Sequence, residues 1–272
     1  MPIAASCLTV ASADPTGGAG VQADLRVFAA AGCFGMAVVP LATAQTGQWS
    51  GGTAHLPEEL VLQQLSCVRT AHRLDAVKLG SLSIPVAVAV EIRRMCAEEN
   101  LPLVVDPVLV SASGSELCSI AQAVTTLEVL RGSITLLTPN PYEATRLAGH
   151  VNREVRDRRD SARTVGDWLD AAVVVTSGGD SEGIDVLYSC GTHRELLPTE
   201  PPLEADFVHG AGCTYSAAVT AMTARGAELS AAVAAAKRAT EASVHAGFQF
   251  RNGVRVPFVS EACFLDVEAP VV

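Results

Sequence analysis

The chain has 272 residues, of which 49% are hydrophobic, and its formal net charge at pH 7 is −10. This composition excludes a disordered chain and suits one large α/β core. The acidic balance, with no long Lys/Arg run, gives no source for the phosphate contacts that drive nucleic-acid binding, so we expect no nucleic-acid partner. No apolar stretch reaches about 18 residues and no charged leader precedes an apolar run, so we expect neither a membrane span nor a signal peptide.

Short apolar runs alternate along the chain with longer stretches of helical spacing. Strands are predicted at 7–11, 37–42, 75–79, 103–105, 134–137 and 171–176, with an edge hairpin at 184–188 and 195–197. Helices are predicted at 19–31, 58–71, 84–99, 117–130, 211–224 and 230–247, and another begins at 141. Pro40 weakens the second strand, and the charged stretch 152–160 indicates a solvated connection or a helix face. The alternation predicts a single domain, residues 1–272, with a mostly parallel sheet covered by helices on both faces.

Eight cysteines are spread along the chain without any CxxC pair. Those at positions 7, 33, 67, 96 and 118 lie in apolar segments, where a free cysteine behaves as a small hydrophobic residue. Thiols stay reduced in the cytosol, so this pattern predicts a cytoplasmic protein without disulfides.

Polar motifs follow four of the predicted strands, at Asp14, Asp106, Asn140 and Gly178. In open α/β sheets, ligands bind beyond the carboxyl ends of the strands. We therefore expect the functional site at this edge of the sheet.

The strongest local signal is the segment HGAGCTYSAA at 209–218, which opens a predicted helix. Its two glycines flank Ala211 and let backbone N–H groups approach an anion, and the helix N-terminus adds unpaired donors. Such a nest suits a transferring phosphoryl group. The same helix terminus is predicted to lower the pKa of Cys213 towards roughly 4–7, so that a thiolate could take the proton of an attacking hydroxyl. A tight helix-entry loop around a buried cysteine is the alternative.

Two further parts of the chain carry candidate ligands. ASADPTGGAGVQADL at 11–25 predicts a tight strand-to-helix turn, but it is neither a Walker A loop nor a GxGxxG fingerprint. VVDPV and LLTPNPYEA place Asp106, Asn140 and Glu143 after two strands, where they could hold hydrated magnesium and phosphate oxygens. Helix capping by Thr138 or Asn140, with Glu143 in the first turn, is the alternative, and capping and catalysis are compatible.

Taken together and in this order, these segments resemble the hydroxymethylpyrimidine/phosphomethylpyrimidine kinase family of thiamine biosynthesis, in the ribokinase superfamily. The similarity covers about residues 6–248. The matching segments are ADPTGGAGVQADL, Ala44-Gln45, Lys78-Leu79-Gly80, VVDPV with Ser113-Gly114, LLTPNPYEA and HGAGCTYSAA. The resemblance implies a ribokinase-like α/β fold, ATP and Mg²⁺ as cofactors, and a homodimer. It also implies a small pyrimidine substrate whose hydroxymethyl group and then monophosphate are phosphorylated.

The resemblance implies roles for individual residues as well. Cys213 would be the base, with Gly210, Ala211 and Gly212 as the anion hole. The residues that bind the pyrimidine would be Asp24, Gln45, Ser12, Ala19, Gly80, Ser81 and Val108. ATP would be bound by Asn140, Ser177, Gly179, Thr214 and Lys237, and magnesium by Asp106 and Glu143.

Six positions depart from the family pattern, namely Ser12, Thr46, Ser81, Ala112, Ser177 and Ala211. Ala112 and Ser177 matter most, because the family has lysine at both and neither residue supplies a point charge to phosphate. We hypothesise that the second phosphorylation, whose substrate is already anionic, is weakened or uses another cation.

Two other functions fit the same residues. A pyridoxal kinase or another small-alcohol kinase is one, because that activity overlaps within the superfamily. The other is a ligand sensor without turnover, which the missing lysines favour and the presence of Cys213 and Asp106 opposes.

Overall fold

A central sheet of eight strands runs through the protein, which the computed structural model describes at residues 5–111, 114–151, 154–201 and 208–264. Its strands are β1 (Ser6–Val10), β2 (Phe34–Val38), β5 (Ala76–Leu79), β6 (Leu103–Val105), β7 (Leu136–Leu137), β8 (Ala172–Val175), β9 (Asp185–Ser189) and β10 (Thr192–Leu196), and β3 (Leu41–Gln45) and β4 (Ser50–His55) form a separate hairpin. The order across the sheet is β10-β9-β8-β7-β6-β5-β1-β2, parallel from β2 to β8 and antiparallel at β9 and β10. This mostly parallel α/β architecture is the predicted fold.

Helices cover both faces of the sheet. They are α1 (Gly20–Ala30), α2 (Glu58–Ala71), α3 (Val86–Glu99), α4 (Ile120–Leu130), α5 (Pro141–His150), α6 (Arg158–Leu169), α7 (Ala211–Ala224) and α8 (Leu229–His245). Helices α2 to α6 pack on one face and α1, α7 and α8 on the other. Alternate strand residues serve the two cores, as Val105 and Val104 do on β6. Because both faces are buried, the strands carry continuous apolar runs.

The extent predicted for the strand at 37–42 was wrong. Pro40 has no N–H to donate to a ladder, so β2 ends at Val38 and a new strand begins at Leu41. Part of the charged stretch forms the start of α6, which Asp157 caps by accepting from the Asp160 N–H. Ala112 and Ser113, named in the sequence comparison, lie outside the described residues.

Two small hairpins flank the carboxyl edge of the main sheet. The β3–β4 hairpin joins the loop after β1 through a bridge between Ala13 and Ala42. The second hairpin, β11 (Phe248–Gln249) with β12 (Arg255–Val256), meets the segment before α7 through a bridge between Val208 and Arg255. Among the described helices, none combines the length and the apolar character that a membrane crossing requires.

Candidate functional site

A cavity of about 290 Å³ opens at the carboxyl ends of the parallel strands. Thirteen of the residues singled out from the sequence line it: Ser12, Ala19, Gln45, Gly80, Ser81, Asp106, Val108, Asn140, Glu143, Gly210, Ala211, Gly212 and Cys213. They come from loops after β1, β5, β6 and β7, from β3, and from the starts of α5 and α7. The parallel sheet therefore brings these segments to one place, as the order of the motifs predicts.

The nest at 210–213 is shaped by a close backbone approach. Gly210, the N-cap of α7, has φ +87°. A Cβ built on it would lie 1.8 Å from the carbonyl oxygen of Gly18, so only glycine fits here. The Thr214 hydroxyl donates to the Gly210 carbonyl at 2.9 Å. The first residues of α7, whose N–H groups have no carbonyl partner within the helix, line the cavity beside the glycine-rich loop.

Asp14 and His209 join the glycine-rich loop to the nest, a pairing that was not predicted from the sequence. The Asp14 Oδ2 atom lies 2.8 Å from His209 Nε2 and accepts from the Ala19 N–H at 2.9 Å, while Oδ1 accepts from the Thr16 N–H at 2.9 Å. Burial opposes ionisation, yet the hydrogen bonds from His209, Thr16 and Ala19 outweigh it and hold the pKa of Asp14 below its usual value. Asp14 therefore organises the loop as a buried carboxylate.

The thiol of Cys213 does not have the lowered pKa that its helix position predicts. Burial raises the pKa of Cys213 to about 12, and the nearby carboxyl groups of Asp106 and Asp24 add to the shift. The Lys78 ammonium and the Gly20 N–H oppose it without reversing it. The helix terminus supplies only a partial charge. The free energy by which that charge stabilises a thiolate is smaller than the cost of desolvating the thiolate. At neutral pH the thiol is therefore protonated.

Asp24 does not line the cavity, contrary to the pyrimidine-binding role implied for it. Its side chain is fully buried, accepts from Thr9 Oγ1 at 2.6 Å, and pairs with the Lys78 ammonium. Lys78 also donates to the Cys213 carbonyl at 3.1 Å. Burial raises the pKa of Asp24 while Lys78 lowers it. The Asp24–Lys78 pair thus lies beneath the nest and supports its backbone.

Asp106 and Glu143 meet at the cavity wall but differ in what they offer a ligand. Asp106 accepts from Ser216 Oγ at 2.8 Å through Oδ2, and within the described part of the chain its Oδ1 accepts no hydrogen bond. Glu143 accepts from the Asn140 and Leu109 N–H groups at 2.9 and 3.3 Å, and Asn140 Oδ1 accepts from the Glu143 N–H at 2.9 Å. This capping box is the alternative foreseen for the pair. Burial, with Asp106 nearby, raises the pKa of Glu143 to about 8.

Gln45 contributes a neutral amide to the cavity lining. It ends β3 and is 8% exposed, and among the described residues no group hydrogen-bonds its side chain. The following loop is tied down, since Gln48 Nε2 donates to the Asn252 carbonyl at 2.9 Å and Asn252 Nδ2 donates to the Thr46 carbonyl at 3.0 Å. The amide is therefore held in place with its hydrogen-bonding capacity unused.

Four residues expected to bind ATP lie outside the cavity. The Thr214 hydroxyl is turned to the backbone of Gly210, and Ser177 and Gly179 follow the cavity-lining Thr176 on an outer turn. Lys237 is 5% exposed, and its ammonium meets the Gly183 carbonyl at 2.6 Å, Glu241 at 3.1 Å and Asp185 at 3.4 Å. An ammonium has three donors, so Lys237 has none left for a ligand.

The model of the family described as phosphomethylpyrimidine kinase matches residues 14–257. A pyridoxine kinase of Bacillus subtilis is 32% identical over 262 residues, covering 91% of this chain and 93% of that protein. A hydroxymethylpyrimidine/phosphomethylpyrimidine kinase of Synechococcus elongatus is 35% identical over 240 residues, covering 87% and 89%. The structure of an ADP complex of Bacillus subtilis pyridoxal kinase superposes with a TM-score of 0.83 at 31% identity, covering 94% of this chain and 98% of that one. The family match includes every residue that lines the cavity except Ser12.

Proposed function

Because the chain belongs to the phosphomethylpyrimidine kinase family, we propose that it phosphorylates 4-amino-5-hydroxymethyl-2-methylpyrimidine with ATP, in thiamine biosynthesis. The protein is a kinase of ribokinase-like fold. One observation carries the choice of substrate. The cavity lining includes both an amide without a hydrogen-bonding partner among the described residues, Gln45, and the nest with Cys213. An aminopyrimidine has ring nitrogens and an amino group that an amide can both donate to and accept from.

The nest is proposed to hold the phosphoryl group during transfer. Backbone N–H groups at the start of α7 would stabilise the charge on its oxygens, and Asp14 with His209 would keep the two loops in register. Cys213 would accept the hydroxyl proton. It could do so only as the thiolate, so its own proton must leave first, and the raised pKa makes this base form a minor species at neutral pH.

Magnesium fits this site at Asp106 better than at Glu143. Asp106 has an oxygen without a hydrogen bond among the described residues, whereas both oxygens of Glu143 accept from backbone N–H groups. Magnesium takes one or two carboxylates together with water and phosphate oxygens, so a single free carboxylate suffices. When bound, the ion would neutralise charge on the ATP phosphates. Asp106 would hold it, and Glu143 would orient the Asn140 loop.

The proposed substrate is tested by steady-state kinetics with the hydroxymethylpyrimidine and with pyridoxal as rival acceptors. We expect a higher kcat/KM for the pyrimidine, and Gln45→Met should lower that value by about 100-fold because the base loses its hydrogen-bonding partner. Gln63→Met, on the exposed face of α2, is the matched control. A pyrimidine kcat/KM that is unaffected by Gln45→Met would contradict the role of the amide.

A pyridoxal kinase is the second candidate, favoured by the similarity to the Bacillus subtilis enzyme over nearly the full length of both chains. Both substrates present a hydroxymethyl group on a six-membered aromatic ring, so the nest serves either. Preference for pyridoxal in the same assay would select this function. If ATP is consumed with neither the pyrimidine nor pyridoxal, the protein is better described as a ligand sensor.

The second phosphorylation is proposed to be slower than the first, because Ser177 and Ala112 supply no charge to the anionic monophosphate. Single-turnover measurement with the monophosphate tests this, and a transfer as fast as the first would contradict it.

We also expect a cytoplasmic homodimer, from the family resemblance. Light scattering during gel filtration measures the oligomeric state, and a monomer mass would refute it.

A further inference from the structure

The sequence contains only two lysines, Lys78 and Lys237, and neither is available to a phosphate. The Lys78 ammonium is fully buried and is occupied by Asp24 and the Cys213 carbonyl. Lys237 uses its three donors on Gly183, Asp185 and Glu241. A positive side chain that meets the ATP phosphates must therefore be an arginine or a histidine.

Arg158, the first residue of α6, lies against the outer turn that follows β8. Its Nη1 donates to the Ile184 carbonyl at 2.8 Å and its Nη2 donates to the Ser177 carbonyl at 3.3 Å. The same guanidinium pairs with Asp180, and the two side chains are 22% and 36% exposed. Arg158 thus spans the turn from its first residue to its last, at the place where the family has a lysine.

The turn that Arg158 holds contains two exposed glycines. Gly178 and Gly179 both have positive φ, +67° and +83°, and both are exposed next to the cavity-lining Thr176. From the opposite side, the Ser177 N–H donates to Asp185 at 2.7 Å, and Asp185 is paired with Lys237. The turn is therefore fixed from both sides while both glycines stay exposed, with open space beside Gly179 and with Pro141 beside Gly178.

Asp180 combines two separable functions in one side chain. Its Oδ1 accepts from the Gly183 and Glu182 N–H groups at 2.9 and 3.1 Å, which shapes the turn. Its Oδ2 faces Arg158 and neutralises the guanidinium. Asparagine at this position would keep an oxygen for the two N–H groups and remove the charge opposite Arg158.

We propose that Arg158 is the cation that contacts the phosphates of ATP, and that Asp180 holds it when the site is empty. This inference rests on the proposed kinase function, since it concerns the nucleotide of that reaction. A guanidinium binds phosphate through paired N–H donors, and a multiply charged phosphate chain competes with a single carboxylate for it. The arginine takes the role left open by Ser177.

The test measures the Kd of MgATP by calorimetry without any acceptor alcohol. Asp180→Asn should tighten binding by about three-fold, because it frees Arg158 from a partly exposed ion pair. Arg158→Ala should weaken MgATP binding by about ten-fold or more. The Kd of Arg158→Lys should lie between the Kd values of Arg158→Ala and the wild type. Arg159→Ala, which breaks the exposed pair with Glu195 on the same helix, is the matched control and should change nothing.

Adenosine, which has no phosphates, separates contact from a purely structural role. Its affinity should be the same in all variants, whereas a disturbed turn would weaken adenosine and ATP alike. Binding of ATP that is unchanged or weaker in Asp180→Asn, or Arg158→Ala behaving like Arg159→Ala, overturns the inference. Wild-type protein that binds ATP but does not phosphorylate the pyrimidine contradicts the proposed substrate alone, and wild-type protein that binds no ATP overturns both.

Discussion

Replacing Gly210 with alanine perturbs the closest backbone contact in the site. The new Cβ would lie 1.8 Å from the Gly18 carbonyl oxygen, where ordinary van der Waals contact begins at about 3.4 Å. The glycine also has φ +87°, a conformation that L-residues rarely adopt. Both effects push the nest away from the glycine-rich loop.

The two effects can be separated by a second glycine at the other end of the same helix. Gly226, just after α7, has φ +85°, and a Cβ there would meet nothing within 4 Å. Alanine in the left-handed region costs roughly 1–2 kcal/mol at either position. Only Gly210→Ala adds the steric conflict, worth about 1–3 kcal/mol. We expect the free energy of unfolding of Gly210→Ala to be lower than that of Gly226→Ala by about 1–3 kcal/mol, the steric cost.

Urea unfolding and acceptor kinetics measure the two consequences. A displacement of about 1 Å at a reacting group costs on the order of 100-fold in rate, so kcat/KM should fall by that factor in Gly210→Ala and stay near wild type in Gly226→Ala. Equal stability and equal turnover of the two variants would refute the reasoning, since it would mean that the loop and the helix move apart without consequence.

Three further outcomes follow from the buried ionisable groups. Cys213 should react with iodoacetamide at pH 7.5 on the order of 1,000-fold more slowly than the exposed Cys67, because burial raises its pKa to about 12; mass spectrometry of both peptides checks this. Lys78→Met should destabilise the protein by about 3–5 kcal/mol in urea by leaving Asp24 unpaired, and adding Asp24→Asn should recover part of that loss. Glu143 binds its proton more tightly when folded, so its contribution to stability is full below about pH 4.5 and is lost as the pH rises to about 8. The urea midpoint of metal-free protein should fall less over this range in Glu143→Gln than in wild type, and an equal fall would contradict the shift.

Much of the site was predictable because its residues are local to strand ends. Asp106, Asn140 and the nest each follow or precede a regular element, and a parallel sheet places such positions at one edge. The burial of Asp24 also had a signal in the sequence. It shares a helical face with Gly20, Val21, Val27 and Phe28, all of which are buried.

Other features depend on residues that are distant in the chain. The Asp14–His209 pair joins positions 195 residues apart, and no spacing rule connects them. The pKa of Cys213 depends on Asp106 and Asp24, which come from two other elements, whereas the sequence shows only the helix terminus. Single-sequence patterns describe local geometry well, but long-range electrostatics requires the assembled fold.

The burial of both lysines also determines how this protein responds to amine chemistry. Lys78 and Lys237 are 0% and 5% exposed and each is held by carboxylates, so acylating reagents and lysine acetyltransferases meet no accessible lysine ammonium. Positive charge on the protein surface is carried by arginine, whose guanidinium keeps its charge at any physiological pH. The surface charge pattern, and with it Arg158, is therefore insensitive to lysine acylation.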